Sequence, residues 1–183
     1  MQGHSPTRAT VAPAVIVVVL ATIVAGRPAA AEPSAPIPAD AQTILRAVRQ
    51  PGASAVMVNV WATWCDPCRE EMPALLRFYR KHAKRGLRLV LVSADDPENR
   101  NAATRFLAAK GVDFPTWIKQ GDDMAFIDAL DPRWSGNLPV TLFFDSKGTQ
   151  RARIDGAADE AALESAWLRT VRTQPHSKTG SKP

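Results

Sequence analysis

Cysteine is scarce in this sequence, which holds only two in 183 residues, Cys65 and Cys68. Two cysteines can form a single bridge, so a disulfide-rich scaffold is excluded. Covalent haem attachment is also excluded, because that motif needs a histidine directly after the second cysteine and Arg69 stands there.

Histidine is nearly as scarce, and the three histidines are His4, His82 and His176. A closed structural zinc site needs four ligands, and two of these histidines lie near the ends of the chain. No metal site is therefore predicted. The lack of histidine between His82 and His176 also disfavours a copper-delivery protein, which would need a metal-binding histidine beyond the second strand.

The excess of charge is small, with 23 basic and 18 acidic residues and a net charge of +5. Basic residues are not clustered with aromatic ones, so nucleic-acid binding is not indicated. With 45% hydrophobic and 22% charged residues, the composition is that of a soluble globular protein. The length suits one domain with its own core.

The first 31 residues have the layout of a secretory signal peptide. Arg8 gives a positive flank, residues 11–25 form an apolar run, and the alanines at 29–31 fit a cleavage site. An uncleaved membrane anchor is the alternative, because the uncharged window 9–26 is just long enough to span a bilayer. In both cases we expect an exported, periplasmic protein, soluble or tethered, in a space that permits disulfides.

The rest of the sequence reads as a proline-rich linker over 32–39, one domain over 40–172 and a polar, disordered tail over 173–183. Apolar and β-branched runs predict strands over 54–62, 87–96, 114–119, 138–145 and 149–154, the last two as a hairpin. Helical spacing predicts helices just after residue 40, from the cysteines to about Lys84, and over 97–111, 122–132 and 159–172. We expect Pro73 to kink the second helix. Strands alternating with helices favour an α/β fold around a mixed sheet.

The two cysteines stand where a buried strand is followed by a helix, which favours a redox couple over a zinc ligand pair or an inert staple. A bridge across two residues removes little entropy from the unfolded chain, so it is a weak staple. A thiolate at a helix N-terminus is stabilised by unpaired N–H groups and the helix dipole. Pro67 lacks an N–H and suits the first helical turn. Cys68, one turn on, can attack a mixed disulfide on Cys65.

The segment WATWCDPCREEMP, residues 61–73, resembles the active-site segment of thioredoxin-like proteins, specifically exported thiol-disulfide oxidoreductases of the TlpA, ResA and CcmG type. GNLPVTLFFDSKGTQRARIDG, residues 136–156, resembles their second landmark, a cis-proline at the start of a strand that enters a hairpin. The resemblance runs from about Asp40 to Arg172. It implies an α/β thioredoxin-like fold, with a central mixed sheet flanked by helices and residues 112–134 as an insertion before the cis-proline strand.

The resemblance also assigns roles. Cys65 is expected to be the attacking thiol and Cys68 the resolving thiol, joined by a disulfide when oxidised. Pro139 is expected to follow a cis peptide bond, an ordinary edge-strand proline being the alternative. Backbone groups at Leu138 are expected to pair with an extended substrate chain. No cofactor is implied beyond the redox-active disulfide.

Asn59 stands six residues before Cys65, where thioredoxins themselves have a buried aspartate, so the usual proton acceptor is missing. Glu71 matches the active-site acid of the ResA group, and it shares a helix face with Cys68. The resemblance implies a partly buried Glu71 that exchanges the Cys68 proton. The alternative is a solvated glutamate that merely favours the helix dipole, as expected for Glu70.

Three residues around Cys65 are expected to contact substrate, namely Trp64, Asp66 and Pro67. Trp64 is expected to shield the disulfide and form part of a docking surface, whereas Trp61 is expected to pack beneath it as a core residue.

The carboxylates favour an electron donor. Asp66 and Glu71 disfavour a thiolate nearby, which makes the couple more reducing, although Arg69 opposes this. The resemblance agrees, and it implies a monomeric reductase of disulfides in exported proteins, often those of apocytochrome c, with a membrane thiol-transfer protein as electron donor. A thiol oxidase or isomerase, a redoxin-type peroxidase and a non-enzymatic binding or metallochaperone module remain alternatives. The peroxidase pattern needs threonine three residues before the cysteine, and Thr63 lies two before Cys65.

Overall fold

The computed structural model describes residues 34–172, which form one six-stranded sheet covered by helices. The strands are β1 (Ile37–Ala39), β2 (Ala55–Trp61), β3 (Leu87–Ser93), β4 (Trp117–Lys119), β5 (Val140–Asp145) and β6 (Gln150–Asp155). The helices are α1 (Ala41–Arg49), α2 (Asp66–Ala83), α3 (Arg100–Ala109), α4 (Asp123–Leu130) and α5 (Glu160–Arg172), and a 3₁₀ turn at Pro97–Asn99 precedes α3. The five strands and five helices predicted between residues 40 and 172 are all confirmed, with bounds that differ by a few residues.

The sheet is mixed, as predicted, and its strand order is β1-β4-β3-β2-β5-β6. β2 lies in the interior of the sheet, parallel to β3 and antiparallel to β5. All seven of its residues are buried and none is charged, as strands covered on both faces require. Val60 lies opposite Val140, so the start of β5 meets the end of β2 just before the cysteines.

The two faces of β2 contribute to two separate apolar cores, because successive side chains of a strand point to opposite sides. Met57 and Trp61 belong to the core that includes residues of α2, α3 and α5. Val56, Val58 and Val60 belong to the core that includes residues of α1 and α4. Both layers hold in place the strand that leads into the cysteine segment.

The predicted linker over 32–39 is wrong in part, since Ile37–Ala39 form β1 at the edge of the sheet. The backbone of Ile37 donates to the Thr116 carbonyl at 2.8 Å, and Gln120 donates to the Ala39 carbonyl at 2.9 Å. Pro38 has no N–H, which an edge strand tolerates because one side of its backbone has no partner strand. The predicted signal segment 1–31 and tail 173–183 lie outside the described residues. Between residues 34 and 172, the helices are too short or too polar to cross a membrane.

The insertion predicted over 112–134 consists of β4 and α4. β4 lies between β1 and β3, so the insertion widens the sheet. Trp134 is buried, and its indole N–H donates to the Asn137 carbonyl at 2.9 Å. This bond anchors the turn that leads to Pro139. α2 continues through Pro73 as one helix, and the kink there stays a prediction.

Candidate active site

Cys65 and Cys68 are joined by a disulfide at the N-terminus of α2, with their Cα atoms 5.3 Å apart. Cys65 is 6% exposed to solvent, and Cys68 is fully buried. Cys65 is therefore the more exposed residue of the pair, the order expected for an attacking and a resolving thiol. With only 6% of its surface exposed, Cys65 is nearly as enclosed as Cys68.

The helix start explains this arrangement. Cys65 is the N-cap of α2, and its Sγ accepts a hydrogen bond from the backbone N–H of Cys68 at 3.3 Å. Pro67 lies in the first turn, where its missing N–H costs nothing. Once Cys65 is reduced, the same N–H and the helix dipole favour its thiolate.

Asp66 is the first residue of α2, and its side chain is 81% exposed. It pairs with Arg69 at 3.2 Å, and solvent and this neighbour both screen its charge. Asp66 therefore disfavours a Cys65 thiolate only weakly. Pro67 and Glu70 are exposed as well, so this turn presents polar groups and one ring to solvent.

Glu71 lies on the inner side of the same helix and is 5% exposed. Its Oε1 accepts from the Asn59 side-chain amide at 2.9 Å, and its Oε2 accepts from the backbone N–H of Ala158 at 2.6 Å. Burial raises the pKa of Glu71, and the hydrogen bonds from Ala158 and Asn59 offset part of this rise. The expectation of a buried rather than a solvated carboxyl is confirmed, and its exchange of a proton with Cys68 stays a prediction.

The peptide bond between Leu138 and Pro139 is cis, as predicted. Pro139 is buried and Leu138 half-buried. Because Val140 is opposite Val60 in the sheet, the start of β5 and the end of β2 lie side by side. The cis bond therefore lies at the same end of these strands as the cysteine segment. The geometry leaves Leu138 available to contact a bound chain, and that contact stays a prediction.

Trp64 and Trp61 differ in the way that the sequence predicted. Trp64 is 66% exposed, whereas Trp61 is fully buried and packs on Phe106 with ring centroids 5.0 Å apart. Trp64 borders a groove of about 120 Å³, whose apolar lining includes Val60, Ala94, Phe126, Trp134 and Leu138. One exposed aromatic beside an apolar groove is suited to holding an apolar side chain of a partner.

Four residues at this site were not assigned from the sequence. Asp95 accepts hydrogen bonds from the backbone and the hydroxyl of Thr63, Thr141 accepts from Asn59, and Ala158 donates to Glu71. The acidic residues after β3 were a visible signal for Asp95. A backbone donor such as Ala158 leaves no signal in a sequence. No group of three or more His, Cys, Asp or Glu side chains between residues 34 and 172 could hold a metal ion.

Comparison with known proteins finds relatives in sequence and in fold. The thiol-disulfide oxidoreductase ResA of Bacillus thuringiensis (strain Al Hakam) is 29% identical over 109 residues, which are 60% of this chain and 59% of ResA. The chain thus spans less than two thirds of that relative's length. A thioredoxin-related protein from Neisseria meningitidis serogroup B is 31% identical with a TM-score of 0.55, over 67% of this chain and 87% of that one.

A thiol:disulfide interchange protein from Chlorobium tepidum TLS has the same fold, with a TM-score of 0.55 and 22% identity over 69% of this chain and 83% of that one. These likenesses confirm the thioredoxin-like fold and the resemblance to ResA. The sequence model of the AhpC/TSA family matches residues 30–153. That match covers more than half of the sequence, and the chain therefore belongs to the AhpC/TSA family.

Proposed function

We propose that this protein is a thiol-disulfide oxidoreductase that reduces disulfides of exported proteins through Cys65 and Cys68. The main support is the placement of this pair at the N-terminus of α2, with the buried carboxyl of Glu71 on the same helix. Similarity to ResA, a named thiol-disulfide oxidoreductase, supports the same reaction class.

The reaction starts from the dithiol form. Cys65 releases its proton to solvent, and its thiolate attacks a substrate disulfide. A Cys65–substrate disulfide forms while the other substrate sulfur leaves as a thiolate and takes a proton from solvent. Cys68 then gives its proton to Glu71 and attacks the Cys65 sulfur. The mixed disulfide breaks, the second substrate thiolate leaves and takes that proton, and the Cys65–Cys68 disulfide forms. Two electrons and two protons pass to the substrate.

Two features favour electron donation. Glu71 places a carboxyl group inside the protein near the pair, where solvent screens it little. When it is ionised, its charge disfavours a thiolate on the same helix, and a less stable thiolate gives a more reducing couple. Asp66 acts in the same direction, but its exposure and its pairing with Arg69 make its contribution small.

Export and partners belong to the same proposal. A dithiol reductase in the periplasm needs a supply of electrons, and a membrane thiol-transfer protein is the donor class that we propose. Apocytochrome c with an oxidised pair of haem-binding cysteines is the substrate to test first, and a role in cytochrome c maturation follows if it is reduced. We propose that the protein acts as a monomer, with no cofactor other than its disulfide.

The site is less suited to a hydroperoxide reductase. Such an enzyme would use a threonine hydroxyl three residues before its cysteine, and Thr63 lies two before Cys65. The Thr63 hydroxyl donates instead to Asp95 at 2.6 Å, so it is already engaged in holding the loop.

A trapping experiment tests the reductase proposal. In a Cys68→Ser variant the mixed disulfide on Cys65 cannot be resolved, so exported substrates should accumulate on it and be identified by mass spectrometry. Purified protein should also reduce insulin in the presence of dithiothreitol. Cys65→Ser is the matched control, and it should trap nothing and leave insulin oxidised. Capture of oxidising enzymes alone, or insulin reduction that persists in Cys65→Ser, would contradict the proposal.

A further inference from the structure

Asn59 is a fully buried amide in β2. Its Nδ2 donates one hydrogen bond to Glu71 Oε1 at 2.9 Å and another to Thr141 Oγ1 at 3.0 Å. Thr141 is on β5, two residues beyond Pro139. The side chain of Asn59 therefore links the acid on α2 to the strand that begins at the cis-proline.

The other polar atom of this amide is in a different situation. Asn59 Oδ1 is buried and accepts no hydrogen bond from the described residues. Rotating the amide by half a turn would bring Oδ1 to Glu71 and Thr141, but it would leave two N–H donors buried without acceptors. Since an unpaired buried polar group is costly, the orientation that points Nδ2 at Glu71 is preferred. In that orientation, Glu71 must present an oxygen that accepts a hydrogen bond from Asn59.

Each of the two oxygens of Glu71 accepts a hydrogen bond from a neutral N–H group. The backbone N–H of Ala158 donates to Oε2 at 2.6 Å, opposite the bond from Asn59. Within residues 34–172, no Lys, Arg or His side chain forms an ion pair with Glu71, and both of its hydrogen bonds come from neutral groups, one on β2 and one in the segment before α5. Thr141 of β5 is also neutral, and it contacts Asn59. Cys68, one turn earlier on α2, is the titratable group beside it once the pair is reduced. Two neutral donors are thus the groups that favour a carboxylate here.

We propose that Asn59 is a positioning residue that holds Glu71 as a proton-accepting carboxylate, and that positions 59 and 71 form one proton site in which acid and amide can exchange places. The use of this site by Cys68 rests on the proposed function, whereas the coupling between Asn59 and Glu71 does not. Thr141 orients Asn59 and acts through it.

The exchange follows from the hydrogen-bond pattern. In an Asn59→Asp/Glu71→Gln variant, the glutamine Oε1 can still accept from Ala158, and its Nε2 can donate to the aspartate at 59. The Thr141 hydroxyl can rotate to donate to the same aspartate. Each of the three bonds is retained, and donor and acceptor are exchanged in the two bonds that involve position 59. One buried carboxyl remains, on β2 instead of α2.

The first test is a titration of the oxidised full chain that needs no activity. Carboxyl ¹³C NMR follows Glu71 across pH, with Glu71→Gln used to assign the signal. Asn59→Leu removes the donor at similar volume, and loss of a hydrogen bond to a charged group should raise the proton affinity of Glu71 about tenfold. Thr141→Val should change it in the same direction by less. Asn101→Leu, on the exposed face of α3, is the control and should leave the titration unchanged.

An unchanged Glu71 titration in folded Asn59→Leu would overturn the positioning role and leave Asn59 a structural residue. If that variant does not fold, Thr141→Val decides the same question, because it keeps the shape of the side chain. An unchanged titration there would also overturn the proposal.

The second test separates the exchange from the proposed function. The rate of insulin reduction, measured across pH, should be lower in Glu71→Gln than in the native protein. It should be largely restored in Asn59→Asp/Glu71→Gln. A double variant as impaired as Glu71→Gln would overturn the exchange. If the native protein does not reduce insulin, the proposed function fails, while the NMR titration still decides whether Asn59 controls Glu71.

Discussion

Thr63 donates two hydrogen bonds to the carboxylate of Asp95, from its backbone N–H at 3.0 Å and from its hydroxyl at 2.6 Å. Asp95 lies just beyond β3 and is fully buried, and its second oxygen also accepts from the Ser93 hydroxyl at 2.5 Å. Thr63 lies between β2 and Cys65. The Asp95 carboxylate therefore attaches the loop that carries Trp64 and Cys65 to the end of β3, the parallel neighbour of β2.

Asp95→Asn should destabilise the protein by about 1–3 kcal/mol, because the amide keeps one acceptor oxygen and turns an NH₂ group towards buried donors. Urea unfolding of the oxidised protein at pH 7 measures this loss. Asp96→Asn is the control, since Asp96 is exposed and makes no side-chain capping bond, and its effect should stay within about 0.5 kcal/mol. Equal unfolding midpoints for the two variants would contradict the role given to Asp95.

The two tryptophans before Cys65 should respond in opposite ways to truncation. Trp61→Ala should cost about 3–5 kcal/mol, because it empties a fully buried position. Trp64→Ala should change stability by less than about 0.5 kcal/mol, since two thirds of that side chain is exposed. If Trp64 docks protein substrates, its loss should lower kcat/KM for insulin about tenfold. Urea unfolding and insulin reduction provide both measurements, and unchanged kcat/KM would remove Trp64 from the docking surface.

Asp131 should make stability depend on pH in the acid range. It is buried just after α4 and accepts hydrogen bonds from Gln150, Arg133 and Arg153. Burial raises the pKa of Asp131, but the hydrogen bonds from Gln150 and Arg133 and the Arg133 charge outweigh it and lower the pKa to about 2. A carboxyl with a lowered folded-state pKa stabilises the protein above its unfolded value of 3.8, and the contribution is lost as pH falls towards 2.

Asp131→Asn should therefore cost about 2 kcal/mol at pH 7. The cost should shrink below about pH 4, as followed by urea unfolding at several pH values. Asp155→Asn is the matched control, because Asp155 pairs with the same Arg153 but its side chain is 55% exposed. That variant should lose less than about 1 kcal/mol. A loss in Asp131→Asn that does not vary with pH would contradict the assignment.

The parts of the site that were predictable depend on local sequence. The Cys65–Cys68 pair was predictable from the order of strand, cysteines and helix, whereas the buried Glu71 and the cis bond before Pro139 were expected from the resemblance of two short segments to the ResA group. The interior strand β2 was predictable because seven consecutive residues are apolar or neutral, which fixes its burial without reference to its neighbours.

The parts that were not predictable depend on contacts between distant residues. Thr63 and Asp95 are 32 residues apart, Asn59 and Thr141 82, and Glu71 and Ala158 87. A single sequence contains no signal that pairs such positions. β1 was missed for the same reason, because Ile37 pairs with Trp117 in the sheet and the prolines around it favour a linker when read locally.

The stability of Glu71→Gln, compared with that of the native oxidised protein, should improve as pH rises from 4 to 7. Burial raises the pKa of Glu71 above its ordinary value of 4.5, against the hydrogen bonds from Ala158 and Asn59. The folded state therefore keeps the proton longer than the unfolded state, so the carboxyl lowers stability as pH rises above about 4.5 and has no such cost below it. A glutamine can still accept from Ala158, but its NH₂ can donate to Asn59 Oδ1 only if that amide rotates, which leaves the Asn59 NH₂ unpaired at a cost that does not depend on pH. Urea unfolding should therefore show that the stability of Glu71→Gln relative to the native protein improves by about 1 kcal/mol between pH 4 and pH 7, whereas exposed Glu70→Gln should show no such change. A stability difference between Glu71→Gln and the native protein that is the same at pH 4 and pH 7 would mean that Glu71 is not held as a costly buried carboxylate.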